Sequence, residues 1–227
     1  MWIIGLTGAM GAGKSLISSY FRHEGVPVHC SDEFVHFLFE KDDDVQRQIK
    51  RLWPDVFVEG KIDRSLLANH VLSSSHDLRC LEDTLYPKLA ENQKKFIKKN
   101  QQLRNKFIVL DVPLLLEVGL DSYCNYVILA SAPPSLRKQR VMRRQGMTLQ
   151  KFHALEALQM KEGDKGKKAD LILYSGRDKG NVLKAIKKVI FLLSQQPIPK
   201  WEGKWPKNLI RRPYESKSCL RHRNNRI

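Results

Sequence analysis

The sequence predicts an α/β fold in which a five-stranded parallel sheet is covered by helices on both faces. Short apolar segments of strand length alternate along the chain with longer segments that show helical periodicity. Strands joined through helices in this way run parallel, and their sheet is buried on both sides. The chain has 227 residues, 42% of them hydrophobic, which suffices for one sizeable core with a smaller attached region.

The five predicted strands are short and apolar. The first covers residues 2–7 and ends in a glycine-rich turn. A helix with one apolar face follows from Lys14 to about Arg22, and Gly25 is a plausible stop. The later predicted strands are residues 26–30, 107–111, 126–130 and 171–174. A last amphipathic helix is predicted over residues 179–194.

Helical patterns fill most of the remaining chain. Residues 33–105 show no convincing strand, although Pro54 and Gly60 interrupt the pattern. A basic helix follows the prolines at 133 and 134, and another helix begins at Thr148.

Two further segments lack clear periodicity. Gly163 and Gly166 stand among charged residues and predict a mobile connection. Residues 197–227 hold nine basic and two acidic residues without a repeating pattern, so we expect a largely disordered basic tail.

Charge and cysteine content limit the possible partners. The formal net charge of +16 suits a polyanionic small molecule, nucleic acid or an anionic membrane surface. No apolar run approaches the ~20 residues of a membrane span, and no signal peptide is predicted. The four cysteines form no C-x-x-C pair and have no histidine at zinc-ligand spacing. We therefore expect a cytoplasmic protein with reduced thiols and no membrane partner.

An octapeptide after the first strand matches the phosphate-loop pattern G-x-x-x-x-G-K-[ST]. Its glycines let backbone N–H groups surround an anion, and the following helix adds the positive end of its dipole. Lys14 would bind the β- and γ-phosphates, and the Ser15 hydroxyl would bind Mg²⁺. An ordinary glycine-rich turn is the alternative, but the flanking strand and helix favour ATP binding. The loop residues are Gly8, Ala9, Met10, Gly11, Ala12, Gly13, Lys14 and Ser15.

Three carboxylates are candidates for the same edge of the sheet. Asp32 follows the second strand, where it could accept a proton from a substrate hydroxyl or bind Mg²⁺ through water. A helix N-cap is the alternative, and it is compatible with either role because one oxygen can cap while the other faces substrate. Asp111 ends an apolar strand, an arrangement suited to Mg²⁺. Glu117 could face the same cleft, and a surface or capping role fits it equally well.

Arginines cluster in the basic helix. Arg137, Arg140 and Arg144 have i, i+3, i+7 spacing, which places them within about 60° of one helix face. Guanidinium groups on one face suit triphosphate oxygens and a lid that excludes water. A solvated charged face is the alternative. The phosphate loop favours a functional role for Arg140 and Arg144, but not for Arg137 or the flanking Arg143.

In this order, the motifs resemble the dephospho-CoA kinase family over roughly residues 1–195. The segment D-V-P-L-L-L-E, residues 111–117, is the most distinctive match. The other matches are the strand and phosphate loop at residues 4–15, Asp32, the G-K-I-D-R segment ending at Arg64, the L-Y-P segment at Tyr86, the arginines 140–144, Gln159 with Met160, Lys165, and Ala169 with Asp170.

The resemblance implies transfer of phosphate from ATP to the ribose 3′-hydroxyl of dephospho-CoA, with ATP and Mg²⁺ bound. It implies a sheet order of 2-3-1-4-5 and three parts within a domain of residues 1–196. These are a P-loop NTPase core (1–32, 106–136 and 168–196), a helical acceptor-binding region (33–105) and a lid (137–167).

The resemblance also assigns roles to residues. Asp32 would be the general base, and Lys14, Arg140 and Arg144 would stabilise the transferring group. Ser15 and Asp111 would hold the metal. The implied substrate-binding residues are Asp32, Arg64, Tyr86, Pro113, Leu114, Leu115 and Glu117. The sequence departs from the family at Cys30, Tyr86 and Tyr174, so we expect an active enzyme with altered affinities.

Two alternatives remain open. Another small-molecule or nucleoside-phosphate kinase would share the phosphate loop and lid, but would leave residues 111–117 unexplained. An RNA-associated protein would use the basic and aromatic tail, although a solvated extension is the favoured interpretation of that segment. The sequence is compatible with a monomer or a weak homo-oligomer.

Overall fold

The computed structural model describes residues 1–176 and 179–210, and a parallel sheet of five strands forms its centre. The strands are β1 (Trp2–Gly8), β2 (Val28–Cys30), β3 (Phe57–Val58), β4 (Lys61–Ile62), β5 (Phe107–Asp111), β6 (Tyr126–Ser131) and β7 (Leu171–Tyr174). The helices are α1 (Lys14–His23), α2 (Ser31–Lys41), α3 (Asp43–Leu52), α4 (Arg64–Ser73), α5 (Ser75–Gln102), α6 (Pro134–Met142), α7 (Leu149–Ala157), α8 (Glu162–Lys168) and α9 (Lys179–Ser194). Short 3₁₀ helices cover Pro54–Val56 and Leu120–Tyr123.

The main sheet has the order β2-β5-β1-β6-β7, and every neighbouring pair is parallel. Counting only these five strands in chain order, this arrangement is 2-3-1-4-5, so the predicted fold and sheet order are confirmed. In the register, Asp111 lies beside Leu6 of β1 and Cys30 of β2. The carboxyl ends of these three strands therefore meet at one edge, where open parallel sheets bind ligands.

Alternating side chains of the central strands supply two buried clusters, one on each face of the sheet. Ile3 and Ile108 belong to the cluster that includes residues of α3 and α5. Their neighbours Ile4 and Val109 belong to the cluster that includes residues of α1 and α9. This division gives the three-layer arrangement of helices, sheet and helices.

A small hairpin corrects the prediction that residues 33–105 contain no strand. Strands β3 and β4 pair antiparallel, with Phe57 opposite Ile62. The turn residues Glu59 and Gly60 have φ angles of 49° and 76°, as two-residue hairpin turns require. Each strand has only two residues, too few to show an alternating pattern.

The mobile connection predicted around Gly163 and Gly166 is instead helix α8. Acidic residues occupy its first turn and lysines its last turn, a distribution that favours the helix dipole. The charged residues that suggested a loop therefore stabilise a helix.

Residues 197–210 differ from the disordered tail that we expected. Trp205 is 6% exposed and Leu209 is 4% exposed, and both belong to the core cluster that contains Ile3. The ring of Trp205 lies 5.4 Å from that of Tyr123. Apolar residues at irregular spacing pack here without forming a helix or strand, so periodicity gave no signal. The rest of the predicted tail, residues 211–227, lies outside the described residues.

Among the residues that the structure describes, no helix combines the length and apolar character needed to cross a membrane.

Candidate active site at the carboxyl edge of the sheet

The phosphate loop joins β1 to α1, and Gly13 is one of the glycines on which its close packing depends. Gly13 has a φ angle of 89° and forms the N-cap of α1. A β-carbon at this position would lie 2.3 Å from Ser175 Oγ, so a larger residue would clash even if its backbone tolerated the angle. The loop is therefore fixed by contact with the segment that follows β7.

The first turn of α1 presents groups that are able to bind an anion. The N–H groups of Lys14 and Ser15 have no acceptor within the helix, because they belong to its first turn. Ser15 is exposed, and Lys14 Nζ donates a hydrogen bond to Gly8 O at 3.0 Å. Burial lowers the pKa of Lys14, while the nearby carboxylates of Asp111 and Asp32 oppose that shift. These three charged side chains therefore surround one site.

Asp111 is almost fully buried at the end of β5. Its Oδ2 accepts a hydrogen bond of 2.6 Å from Ser18 Oγ. Burial raises the pKa of Asp111, and the Ser18 hydrogen bond and the Lys14 charge oppose the increase. The sequence interpretation missed Ser18, which lies four residues after Lys14 and so on the same face of α1.

Asp32 is exposed as the second residue of α2. The N-cap of this helix is Cys30, and no side chain caps it, so Asp32 does not have the alternative role of an N-cap. Burial raises the pKa of the Cys30 thiol to about 11, which keeps this side chain neutral. Asp32 is therefore the carboxylate that β2 and α2 present at the edge of the sheet.

Arg140 contacts the phosphate loop from α6. Its Nη1 donates to Gly11 O at 3.1 Å and to Ser175 Oγ at 2.9 Å, and its Nη2 donates to Ser175 O at 3.0 Å. Ser175 Oγ in turn donates to Ala12 O at 2.6 Å. The sequence interpretation gave Ser175 no role, and its only signal was its position directly after the last strand.

Helix α6 ends at Met142, so the prediction that Arg144 shares a helix face with Arg140 is wrong. A turn containing Gly146, whose φ angle is 73°, follows the helix and carries the exposed Arg144. The charge of Arg144 is among those that lower the pKa of Lys14, so its side chain still lies toward the phosphate loop.

Arg137 has an internal role, and it was not predicted to act in catalysis. It is buried, and its Nη1 lies 3.2 Å from Glu156 while its Nε lies 3.7 Å from Glu162. These ion pairs connect α6 to α7 and α8. The flanking Arg143 is the exposed C-cap of α6.

Two predicted acceptor-binding residues come from the helical region. Arg64 is exposed at the start of α4, and its Nη1 lies 2.8 Å from Nε2 of His36. Since His36 lies one helical turn after Asp32, Arg64 is held against the helix that carries Asp32. Tyr86 is half-buried in α5, where its hydroxyl donates to Glu82 Oε1 at 2.9 Å.

The segment after Asp111 turns its residues in different directions. Pro113 and Leu114 are half-buried, and Pro113 O accepts a hydrogen bond from Thr7 Oγ1 at 3.0 Å. Leu115 is fully buried in the core cluster, which corrects the prediction that it contacts substrate.

Glu117 is bound within the protein, a second correction to the predicted substrate contacts. Its Oε1 lies 2.9 Å from Lys165 Nζ and accepts a hydrogen bond of 2.8 Å from the Met160 N–H. The resemblance quoted Lys165 and Met160 without giving them a role. Their contact with Glu117 connects the segment after β5 to the start of α8.

A cleft of about 370 Å³ lies between α8 and the β6–β7 edge of the sheet. Leu129 and Ile172 contribute apolar walls, Gly166 lines the side formed by α8, and Tyr174, which is 59% exposed, also lines the cleft. The cleft begins beside the same carboxyl edge as the phosphate loop. Tyr174 is thus available for stacking on a planar group.

Comparison with known proteins identifies the family of this chain. The family model for dephospho-CoA kinase matches residues 2–179. The dephospho-CoA kinase of Bartonella henselae is 36% identical over 190 residues, which are 84% of this chain and 97% of that relative. The dephospho-CoA kinase of Ehrlichia chaffeensis is 35% identical over 198 residues, which are 86% of this chain and 97% of that relative.

Solved structures show the same fold. The Thermus thermophilus protein TT1252 has a TM-score of 0.70 and 31% identity, over 85% of this chain and 97% of that protein. Dephospho-CoA kinase from Campylobacter jejuni has a TM-score of 0.59 and 24% identity, over 85% of this chain and 97% of that enzyme. From the family match and the identity to these relatives, the chain belongs to the dephospho-CoA kinase family.

Proposed function

We propose that this protein transfers the γ-phosphoryl group of ATP to the ribose 3′-hydroxyl of dephospho-CoA, giving ADP and coenzyme A. The observation that carries the proposal is the convergence of Lys14, Asp32 and Asp111 at the edge where β1, β2 and β5 end. A phosphate-binding cation and a carboxylate able to accept a proton are the two groups that transfer to an alcohol requires.

We assign the general-base role to Asp32. It is the exposed carboxylate beside the phosphate loop, and it is not used to cap α2. Lys14, Arg140 and Arg144 would stabilise the charge on the transferring phosphoryl group. Arg140 and Arg144 lie two residues before and two residues after Met142, where α6 ends. Movement of the lid would therefore bring both arginines toward the phosphates, or take both away from them.

Ser15 and Asp111 fit a magnesium ion bound together with ATP. Both offer oxygen ligands, which Mg²⁺ prefers, and Asp111 is held in place by Ser18. Within residues 1–176 and 179–210, no group of three or more His, Cys, Asp or Glu side chains could hold a metal by itself. The remaining ligands would therefore be phosphate oxygens and water. When bound, the ion neutralises charge on the β- and γ-phosphates.

We assign acceptor binding to residues 33–105, ATP binding to the core and closure to a lid of residues 137–167. Arg64 and Tyr86 support the first assignment, since an exposed guanidinium held against α2 can bind phosphate. Pro113 and Leu114 would form an apolar wall next to Asp111. We further propose a cytoplasmic location, which the free thiols of Cys30 and Cys80 support.

The decisive experiment measures ADP formation by the purified protein with ATP and a panel of alcohol acceptors. We expect turnover with dephospho-CoA and none with an analogue that lacks the 3′-hydroxyl. Nucleoside monophosphates, shikimate and simple sugars provide the comparison acceptors. Equal turnover with one of these acceptors, or with no acceptor at all, would contradict the assigned reaction.

The role of Asp32 is tested by Asp32→Asn, which keeps the size of the side chain and removes its basicity. We expect kcat to fall by about 10²–10⁴-fold, the usual contribution of a general base. Binding of ATP, measured by titration calorimetry, should change little. A kcat close to that of the wild type would reject Asp32 as the base.

The structure of residues 197–210 gives less support to nucleic-acid binding than the sequence alone did. Trp205 is one of the aromatic residues that suggested base stacking, and it is buried in the core. Trp201 packs partly against the same cluster. Gel-shift assays with single-stranded RNA at several salt concentrations would detect binding by the full chain.

A further inference from the structure

An ion pair buried between the lid and the core has no role in the phosphoryl transfer described above. Lys165 on α8 is 0% exposed, Glu117 after β5 is 7% exposed, and their charged atoms are 2.9 Å apart. Burial of two charges removes much of their hydration, so such a pair contributes little net stability compared with apolar residues of similar size. Its position between the segment after β5 and α8 indicates that the pair holds these two parts of the chain together.

The pair fixes a segment of backbone beside the phosphate loop. Glu117 Oε1 accepts the Met160 N–H at 2.8 Å, directly before α8. A hydrogen bond to a carboxylate is stronger than one to a neutral acceptor, and Lys165 supplies the countercharge beside it. Residue 160 is therefore held in place relative to β5.

The preceding residue makes contact with the loop itself. Gln159 Oε1 accepts the Met10 N–H at 3.1 Å. Met10 lies inside the turn that the Ala12 N–H closes by donating to Ala9 O at 3.0 Å. The Gln159 contact thereby orients the peptide group of Met10. The amides of Ala12, Gly13 and Lys14 follow two to four residues later in the same loop.

We propose that Gln159 is a positioning residue that holds the phosphate loop in its ATP-binding conformation, and that the ion pair of Glu117 and Lys165 holds Gln159 in place. The inference rests on the proposed function, because it assumes that this loop binds the phosphates of ATP. None of the three side chains needs to touch the reacting atoms. Their effect reaches ATP through the backbone of residues 8–15.

The electrostatics agree with this arrangement. The charge of Lys165 contributes to the lowering of the pKa of Lys14, after burial as the main cause and alongside Arg144. Lys165 thus lies close enough to influence the phosphate site even though Glu117 binds it. Loss of the pair would alter both the backbone support and the local charge.

The first test replaces Gln159 with Leu, which has similar size and no hydrogen-bond acceptor. Gln159 is only half-buried, so the variant should fold. We expect KM for ATP to rise about five-fold, the effect of one lost hydrogen bond, with KM for dephospho-CoA unchanged. Gln150→Leu, the same substitution at an exposed position of α7, is the matched control. An unchanged or lower KM for ATP in Gln159→Leu would overturn the proposal.

The second test separates positioning from stability with two double variants. Glu117→Gln with Lys165→Met keeps an acceptor oxygen for the Met160 N–H, whereas Glu117→Leu with Lys165→Met removes it. Both doubles should have a higher Tm than Lys165→Met alone, because that variant leaves a buried carboxylate unpaired.

KM for ATP should be about five-fold higher in the Leu/Met double than in the Gln/Met double. Lys168→Met, on the exposed side of α8, is the control for the lysine substitution. Equal KM values in the two doubles would show that the pair is only structural. If neither double variant folds, the KM for ATP of Gln159→Leu decides whether the positioning proposal holds.

A direct titration with ATP keeps this test independent of the proposed reaction. If the wild type binds ATP but does not phosphorylate dephospho-CoA, the proposed function fails. The positioning inference is then judged by the Kd for ATP, which Gln159→Leu should raise by about the same five-fold factor. Unchanged affinity in that variant would reject the inference, whatever the acceptor is.

Discussion

Lys14 carries the charge to which we assign phosphate binding, and its contacts allow this role to be tested separately from folding. Its ammonium group donates to Gly8 O, within the same loop. Lys14→Met should therefore leave Tm nearly unchanged and lower kcat/KM for ATP by about 10²-fold or more. Lys138→Met, on the exposed side of α6, is the control for removal of a nearby positive charge. Full activity of Lys14→Met would exclude the loop from phosphate binding.

His29 gives the protein a predictable sensitivity to acid. The side chain is buried near the rings of Phe34 and Phe96, and its Nε2 lies 2.7 Å from Asn92 Oδ1. Burial lowers the pKa of His29, although the Asn92 contact opposes the shift. The unfolded chain takes up a proton near pH 6.5, whereas the folded protein does so only at lower pH.

The stabilisation linked to His29 is therefore complete above about pH 6.5 and is lost as the pH falls toward the folded pKa. The free energy of unfolding should decrease by up to about 1.4 kcal/mol per pH unit in that window. Urea unfolding at pH 7.5 and 5.5 measures the difference, which should be smaller in His29→Leu. An identical pH dependence in both proteins would contradict the prediction.

For individual residues, the sequence predicted which side chains lie at the carboxyl edge of the sheet better than it predicted where those side chains point. Asp111 ends a strand, Asp32 and Lys14 follow strands, and strand ends meet at one edge whatever the details of packing. Leu115 and Glu117 come from the same motif as Asp111, but both side chains are buried. The motif could not predict this, because it does not indicate which of its side chains face the core. The contacts of Ser18 and Ser175 depend on tertiary packing that no local pattern records.

The junction between the phosphate loop and α1 should be sensitive to a small change. In Gly13→Ala, the new methyl group would meet Ser175 Oγ at 2.3 Å and would also require a left-handed backbone. We expect a loss of about 1–3 kcal/mol in stability and a large rise in KM for ATP, measured by thermal unfolding and steady-state kinetics.

Gly25→Ala is the matched control for this substitution. Gly25 has a φ angle of 75°, but a β-carbon there would meet no atom within 4 Å. This variant reports the cost of backbone strain alone, about 1 kcal/mol, and should bind ATP normally. If the two variants have the same stability and the same KM, the contact with Ser175 has no influence on the loop.

The strands of the main sheet, including the short β2 and β7, were predictable, whereas the hairpin and α8 were not. The buried strands β1, β5 and β6 are apolar runs, and Thr148 caps α7 by accepting the Lys151 N–H, as its position suggested. The hairpin of β3 and β4 is too short for any periodicity. In α8, the order of the charges along the helix outweighs the two glycines that suggested a loop.

Residues 197–210 add a contact that involves the whole molecule. Trp205→Ala would leave a cavity beside Tyr123 and should reduce the free energy of unfolding by about 3 kcal/mol. Ile210→Ala removes an apolar side chain that is 69% exposed and should have almost no effect. Chemical denaturation of the three proteins gives the comparison. Equal stabilities would mean that this segment does not contribute to the core in solution.

At the scale of the whole molecule, the three-layer architecture could be predicted because alternating strands and helices have few ways to pack. The order 2-3-1-4-5 came from the family resemblance, since periodicity does not specify which strands are neighbours. The packing of residues 197–210 against the core was missed for the same reason. It depends on which surface Trp205 and Leu209 find, and not on a local pattern.

The central position of β1 affects how the chain folds during synthesis. Ile4 pairs with Val109 on one side and with Tyr126 on the other, so β1 leaves the ribosome before both of its neighbours and must wait for them. At typical elongation rates, roughly 100 residues require on the order of 5–20 s. During that delay an apolar strand with two unpaired edges is exposed in the nascent chain. Chaperone binding to this strand would protect it from aggregation until the adjoining strands emerge.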